Sequence, residues 1–184
     1  MLDSRPTQLK GQNMDMSDPH IGMVSFQKAL DNGELSPGPV RGYQHLYSYI
    51  DQPDPETVRF TYVRLNPERS KVQSFVSCVM NGFVNGYPVV AVGYAVPEAL
   101  RNQGHAKQIL ADVVKDQVFQ AGQNGIRELY VEAIIDITNI ASQRVAESIL
   151  TGSRDQLEEG ASGLPAVRFT SRFDTATGKQ LPIN

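Results

Sequence analysis

The chain has 184 residues, 40% of them hydrophobic, and carries 17 basic against 20 acidic residues for a formal net charge of −3. That length suits one globular domain with a sizeable core, and the absence of any dense Lys/Arg run argues against nucleic acid as a partner. The single cysteine, Cys78, excludes an intrachain disulfide, and no window approaches the ~18 uninterrupted apolar residues of a membrane span.

The polar start MLDSRPTQLKGQ lacks the apolar core of a signal peptide, so the expected setting is soluble and cytoplasmic. Residues 1–16 are expected to be a flexible segment and 17–184 a single domain. SDPHIGMVSFQKALDNG predicts a short helix, with Ser17 or Asp18 as N-cap, Pro19 early in the helix and Asn32-Gly33 as its stop. SPGPV breaks the chain, and GYQHLYSYI reads as strand or helix. From Thr57 the pattern is β. TVRFTYVRL, KVQSFVSCVM and YPVVAVGYAV predict successive antiparallel strands, with Asn81-Gly82 and Asn85-Gly86 in the turn region before the last. The near-continuous apolar character of that last strand suits the middle of a sheet. Cys78, inside SFVSCVM, reads as a small buried hydrophobe.

A glycine-bearing turn then leads into a helix whose apolar positions are Ala106, Ile109, Leu110, Val113, Val114, Val118 and Ala121, with Gly122 as the expected stop. ELYVEAIIDI predicts another buried strand, and strand, helix, strand in that order requires a right-handed crossover between parallel strands. NIASQRVAESIL predicts a second helix with Ala141, Val145 and Ile149 along one side. SRDQLEEGASG is expected as a polar loop. AVRFTSRF follows as a late strand with Val167, Phe169 and Phe173 on alternating sides, and DTATGK closes as a hairpin turn.

The turn VPEALRNQGHAKQIL places unpaired helix N–H groups and the positive end of a helix dipole directly after a strand, which makes a site for an anion. Gly104 and Ala106 keep that turn slim and Arg101 adds a positive charge at its rim; the alternative is a tight connection in which the glycine only relieves crowding. VPEALRNQGHAKQIL resembles motif A of the GNAT acetyltransferases, Q/R-x-x-G-x-G/A. VEAIIDITNIASQRVAES resembles their motif B, in the branch of the ribosomal-protein N-terminal acetyltransferases, through Glu132-Ala133, Asp136, Asn139, Ser142, Val145 and Glu147. The resemblance covers about Tyr87 to Leu150. The branch closes motif B with Lys-x-Gly-Phe, where this chain has SILTGS.

The resemblance implies a mixed α/β (α+β) fold, a central, mostly antiparallel twisted sheet with a parallel β-α-β crossover that splays to hold coenzyme A. It implies acetyl-CoA as cosubstrate, its pyrophosphate on the N–H groups of Asn102, Gln103, Gly104, His105 and Ala106 beside Arg101, its pantetheine arm along the strand ending at Val96, and Asn139 as a further contact or as a helix cap. Backbone N–H groups around Tyr94 and Val96 would be oxyanion donors. Glu132 is the candidate general base, or else a strand-end carboxylate satisfied by Arg127 or Arg144; Glu98 is the second candidate. Ser142 would donate a proton to the departing thiolate, or else partner Asn139 in capping. No His, Cys and acidic set has metal-ligand spacing, so no metal is expected. The function this implies is an N-acetyltransferase acting on a primary amine, a small molecule or a protein N-terminus, with a homodimer allowed and no membrane partner. The alternatives are a related enzyme acting on an aminoacyl-tRNA amine and a non-catalytic acyl-CoA-binding or interaction module.

Overall fold

Asp18 opens the first helix, α1 (Pro19–Asp31): its carboxylate accepts the His20 N–H at 2.9 Å and Pro19 takes the first helical position, where a missing N–H costs nothing. The computed structural model describes residues 18–159 and 163–183, so the expected flexible segment 1–16 and Ser17 lie outside the described residues. After the short β1 (Gly38–Pro39), the undecided GYQHLYSYI enters a strand, β2 (Leu46–Asp54). It is followed by β3 (Thr57–Leu65), β4 (Val72–Val84) and β5 (Tyr87–Ala95), consecutive antiparallel neighbours as predicted.

The β4–β5 turn is Asn85-Gly86 alone, with φ of 52° and 81°, the left-handed pair that matches strand twist in a tight hairpin. Asn81-Gly82, expected in that turn, is instead a bulge within β4, where the register shifts between Met80 and Phe83. A 3₁₀ turn (Glu98–Leu100) precedes α2 (His105–Gln123), β6 (Glu128–Asp136) and α3 (Ile140–Ile149). β6 pairs parallel with β5, the predicted crossover.

Gly122 does not stop α2 but lies within it, because a Cβ there would stand 3.0 Å from the Thr175 carbonyl; the chain turns at Gly125, with φ of 75°. Polar SRDQLE is not loop but an edge strand, β7 (Ser153–Glu158), whose mostly solvated side chains hide it from periodicity. On α3 the buried face is Gln143 and Ala146, followed by Leu150, while Ala141 is exposed. Val167, Phe169 and Phe173 of β8 (Pro165–Asp174) share one buried face, as even spacing in a strand requires. DTATGK does close a hairpin, to β9 (Gln180–Leu181).

Among the described residues the sheet runs β1-β2-β3-β4-β5-β6-β8-β7, with β9 on β8, and is antiparallel except at β5–β6. One face packs under α2 and α3 through Val92, Ile109, Leu110, Val113, Val131 and Ala133; the other packs under α1 through Met23, Phe26, Val63 and Phe75. Ile109, Leu110 and Val113 are fully buried, each worth about 1.5–3 kcal/mol, which anchors α2 across the crossover. Cys78 is buried in this core, which pushes its thiol up, as does the charge of Asp116.

Candidate active site

β5 and β6 share only the rungs Val89↔Tyr130, Val90↔Val131 and Ala91↔Glu132. Past that point each strand follows its outer neighbour, β5 staying on β4 as far as Ala95 and β6 staying on β8 as far as Asp136. The sheet therefore opens at its centre. The cleft, about 560 Å³, is lined by Val92, Tyr94 and Val96 on one side and Ile134 and Asp136 on the other, with Asn139 and Ser142 from the start of α3 and Arg101 from the following loop.

That loop carries Asn102 at φ 61° and Gly104 at φ 83°, the latter as the residue before α2. A Cβ on Gly104 would meet nothing within 4 Å, so glycine is required by its left-handed backbone and not by crowding. The first helix-closing bond on this turn is Gln108 N–H to the Gly104 carbonyl at 3.0 Å. The N–H groups of His105, Ala106 and Lys107 precede it and face outward at the positive end of the helix dipole. Arg101 lines the cleft and its Nε donates to the Val96 carbonyl at 3.4 Å; Gln103 Nε2 donates to Ala99 at 3.2 Å. Asn102 to Ala106 adjoin the cleft without lining it.

The Tyr94 hydroxyl donates to the Ser142 carbonyl at 2.6 Å, tying β5 to α3, and burial pushes the phenol up so that it holds its proton. The resemblance implies a role for the Tyr94 backbone alone, and the hydroxyl contact is additional to it. Asn139 Oδ1 accepts the Ser142 N–H at 3.1 Å, so the capping arrangement is present, and both residues also line the cleft. Asp136 accepts from the Thr138 hydroxyl at 2.6 Å and its N–H at 2.7 Å, which holds its carboxyl below the usual range.

Glu132 occupies the last shared rung and is 6% exposed. Its neighbours Val131 and Ala133 belong to the core under α2, so Glu132 points to the α1 face of the sheet. Its carboxylate accepts from Asn81 Nδ2 in the β4 bulge, not from the expected Arg127 or Arg144, both of which are exposed. Asn81 is the residue that sequence reasoning missed. An Asn-Gly pair inside an apolar β run signals a bulge as well as a turn, and bulges re-aim side chains. Glu132 stands at the apex of the opening but outside its lining, while His20, from the first turn of α1, is among the lining residues. Glu98 is exposed in the 3₁₀ turn. Among the described residues no group of three or more His, Cys, Asp or Glu is placed to hold a metal ion, and no helix is long and apolar enough to cross a membrane.

No protein-family model and no curated protein matches the chain. Solved structures do resemble it. The ribosomal-protein-S5-alanine acetyltransferase of Vibrio fischeri is similar with a TM-score of 0.47 and 16% identity, over 66% of this chain and 64% of that one. A GNAT-family acetyltransferase from Bacillus anthracis gives 0.44 and 13% over 60% and 64%. RimL, a ribosomal L7/L12 alpha-N-protein acetyltransferase in complex with coenzyme A, gives 0.45 and 16% over 61% and 60%. The chain thus spans less than two thirds of the length of each of these structures.

Proposed function

We propose that this chain is an acetyl-CoA-dependent N-acetyltransferase of the GNAT kind, acting on a primary amine. The observation that carries the reading is the early end of the β5–β6 ladder beside the N-terminus of α2. A strand edge without a ladder partner suits an extended arm of amides, and a helix N-terminus with Arg101 beside it suits a pyrophosphate. The geometry at Gly104 fits such a group, since the space in front of its Cα is open and its φ keeps the turn tight.

Acetyl-CoA, when bound, supplies an acetyl group activated as a thioester. In this reading the N–H groups of Asn102 to Ala106 and the Arg101 guanidinium hold the phosphates, and backbone N–H groups near Tyr94 and Val96 face the acyl oxygen. Glu132, on the α1 face, takes the proton of the incoming ammonium directly or through one water, and Asn81 fixes its carboxylate. Ser142 and Tyr94, on the α3 side of the same opening, hold protons where the thiolate would leave. Acceptor and donor therefore approach from opposite faces of the sheet. A protein N-terminus is the favoured acceptor, because its reference pKa near ~8 makes the neutral amine more accessible than a lysine near ~10.4.

Calorimetry with acetyl-CoA, followed by thiol release across a panel of small amines and peptide N-termini, tests the reading. Binding together with amine-dependent release of coenzyme A is expected. Absence of binding overturns it, and tight binding without release to any amine favours the binding-module alternative.

A further inference from the structure

A second cavity, about 990 Å³, lies between the C-terminal half of α2 and the sheet face built by β2 to β5, and it shares no lining residue with the cleft. Most of its wall is apolar: Ile50, Phe60, Met80, Phe83, Val90 and Leu129. Several of these are left facing solvent, Phe83 at 71% and Ile50 at 59% exposure. Large apolar side chains grouped beside a concave wall are unusual on a free surface.

One buried charged group sits in this wall. Asp116, on α2, is 6% exposed. Its Oδ2 accepts the Tyr62 hydroxyl at 2.7 Å, and Gln117 Nε2 donates to the Tyr62 oxygen at 2.7 Å. The chain of bonds leaves the second carboxylate oxygen and the Gln117 amide oxygen as acceptors. Arg64 pairs with Asp112, one turn earlier on α2. Among the described residues Asp116 has no ion-pair partner. Tyr62 and Tyr43 are pushed up by burial and by the charge of Asp116, so both stay neutral and neither removes that charge. Arg41 and Arg127 also line the cavity but are exposed, where solvent and salt weaken their fields; the buried carboxylate is screened far less. A buried carboxylate without a cation is costly, and a ligand that brings one recovers part of that cost.

We propose that this groove binds an amphipathic cation: one ammonium head seated on Asp116 and Gln117, and an apolar body lying against Phe60, Met80 and Phe83. The site is separate from the cleft and does not depend on the acetyltransferase reading. It needs a ligand with both parts. An apolar molecule alone leaves Asp116 unpaired, and a small polar cation leaves the apolar wall wet.

The test uses the full chain and N,N-dimethyl-4-phenylbutylamine, a tertiary amine that no acetyltransferase can acylate stably. Its uncharged and anionic counterparts are 4-phenylbutanol and 4-phenylbutyrate. Calorimetry is expected to show the amine binding at least roughly tenfold more tightly than the alcohol, the gain typical of one charge-assisted contact, with the acid weakest. NMR shifts are expected at Val90 and Leu129 and not at Ile134 and Ile135. Asp116→Asn should bring the amine to the alcohol's affinity. Phe83→Ser, at an exposed position that leaves the fold intact, should weaken amine and alcohol alike, so the test survives if Asp116→Asn fails to fold. Equal affinities for amine and alcohol, shifts confined to the cleft, or unchanged amine binding in Asp116→Asn would each overturn the proposal. So would self-association abolished by Phe83→Ser with no amine binding, since the groove would then be covered by a second copy.

Discussion

β6 carries a ladder on both edges. Against β8 the pairing runs the whole strand, from Glu128↔Asp174 to Asp136↔Ala166; against β5 it ends at Ala91↔Glu132. Both edges belong to the same residues, so strand propensity cannot explain the difference. What differs is the direction of the partner: β8, reached through α3 and β7, returns antiparallel along the whole strand, whereas β5, joined through α2, runs parallel and leaves after three rungs. A buried backbone group left without a partner costs about 1–3 kcal/mol, so an open edge at the centre of a sheet persists only where water or a ligand covers it. The closed edge holds the fold together, and in the proposed function the open edge holds the cosubstrate.

Removing chemistry from the open edge should have the largest effect. Glu132→Gln keeps the shape at the apex of the opening but cannot accept a proton, and kcat with the best amine is expected to fall by about 10²–10³ with loss of the acidic limb of the pH profile. Ser142→Ala should lower kcat about tenfold and leave acetyl-CoA affinity unchanged, because in the proposed function the hydroxyl acts as charge develops on sulfur. Near-wild-type turnover in both would mean that the open edge binds but does not catalyse through these groups.

Next in size is the loop at the end of that edge. Gly104→Glu forces a side chain into φ 83° and puts a negative charge where the phosphates would lie. Left-handed strain of roughly 1–2 kcal/mol and charge repulsion together predict about a hundredfold weaker acetyl-CoA binding by calorimetry, with unchanged circular dichroism. Gly104→Ala carries the strain without the charge and should lose less. Equal losses in the two would assign the effect to backbone strain alone.

Asn81→Ala separates positioning from catalysis. Asn81 donates to Glu132, so its loss should leave the carboxylate free to turn away from the opening. A fall in kcat of about fivefold to tenfold is expected, with acetyl-CoA affinity unchanged and activity restored in part by Asn81→Gln. Unchanged kcat would show that Asn81 supports the bulge and nothing more.

These parts of the molecule differ in how far the sequence revealed them. α2 and the β3–β5 meander carry regular apolar periods, and α1 is bounded by Asp18-Pro19 and Asn32-Gly33, so each was legible locally. β7 was not, because an edge strand with both faces solvated has no apolar alternation. The loop at Gly104 was legible because a left-handed glycine before a helix leaves a residue signature. The partner of Glu132 was not, since Asn81 lies 51 positions away and reaches it through a bulge. Nor does any residue type announce where a ladder stops. The width of the cleft and the groove at Asp116 are products of long-range packing, visible only once α2 lies across the sheet.

The smallest expected effect concerns how β6 hands over to α3 at the rim of the open edge. Asp136 accepts two bonds from Thr138, from its hydroxyl and its N–H, and the turn they make sets the start of the helix that carries Asn139 and Ser142. These bonds favour the ionised carboxyl and lower its pKa in the folded state. A depressed carboxyl contributes stability that is present above its unfolded pKa and lost as pH falls through its folded one. Thr138→Val removes the hydroxyl bond and keeps the N–H, so the Asp136 carboxyl, followed by NMR titration, should move part of the way back toward its ordinary value. The stability difference between wild type and variant should be constant near neutral pH and shrink in acid, once the carboxyl is protonated in both. Because Asp136 is exposed, that difference is expected to be slight and to weaken further with salt. A difference that persists undiminished in acid would mean that Thr138 supports the turn through packing, and the handover to α3 would then be independent of the charge at the cleft's rim.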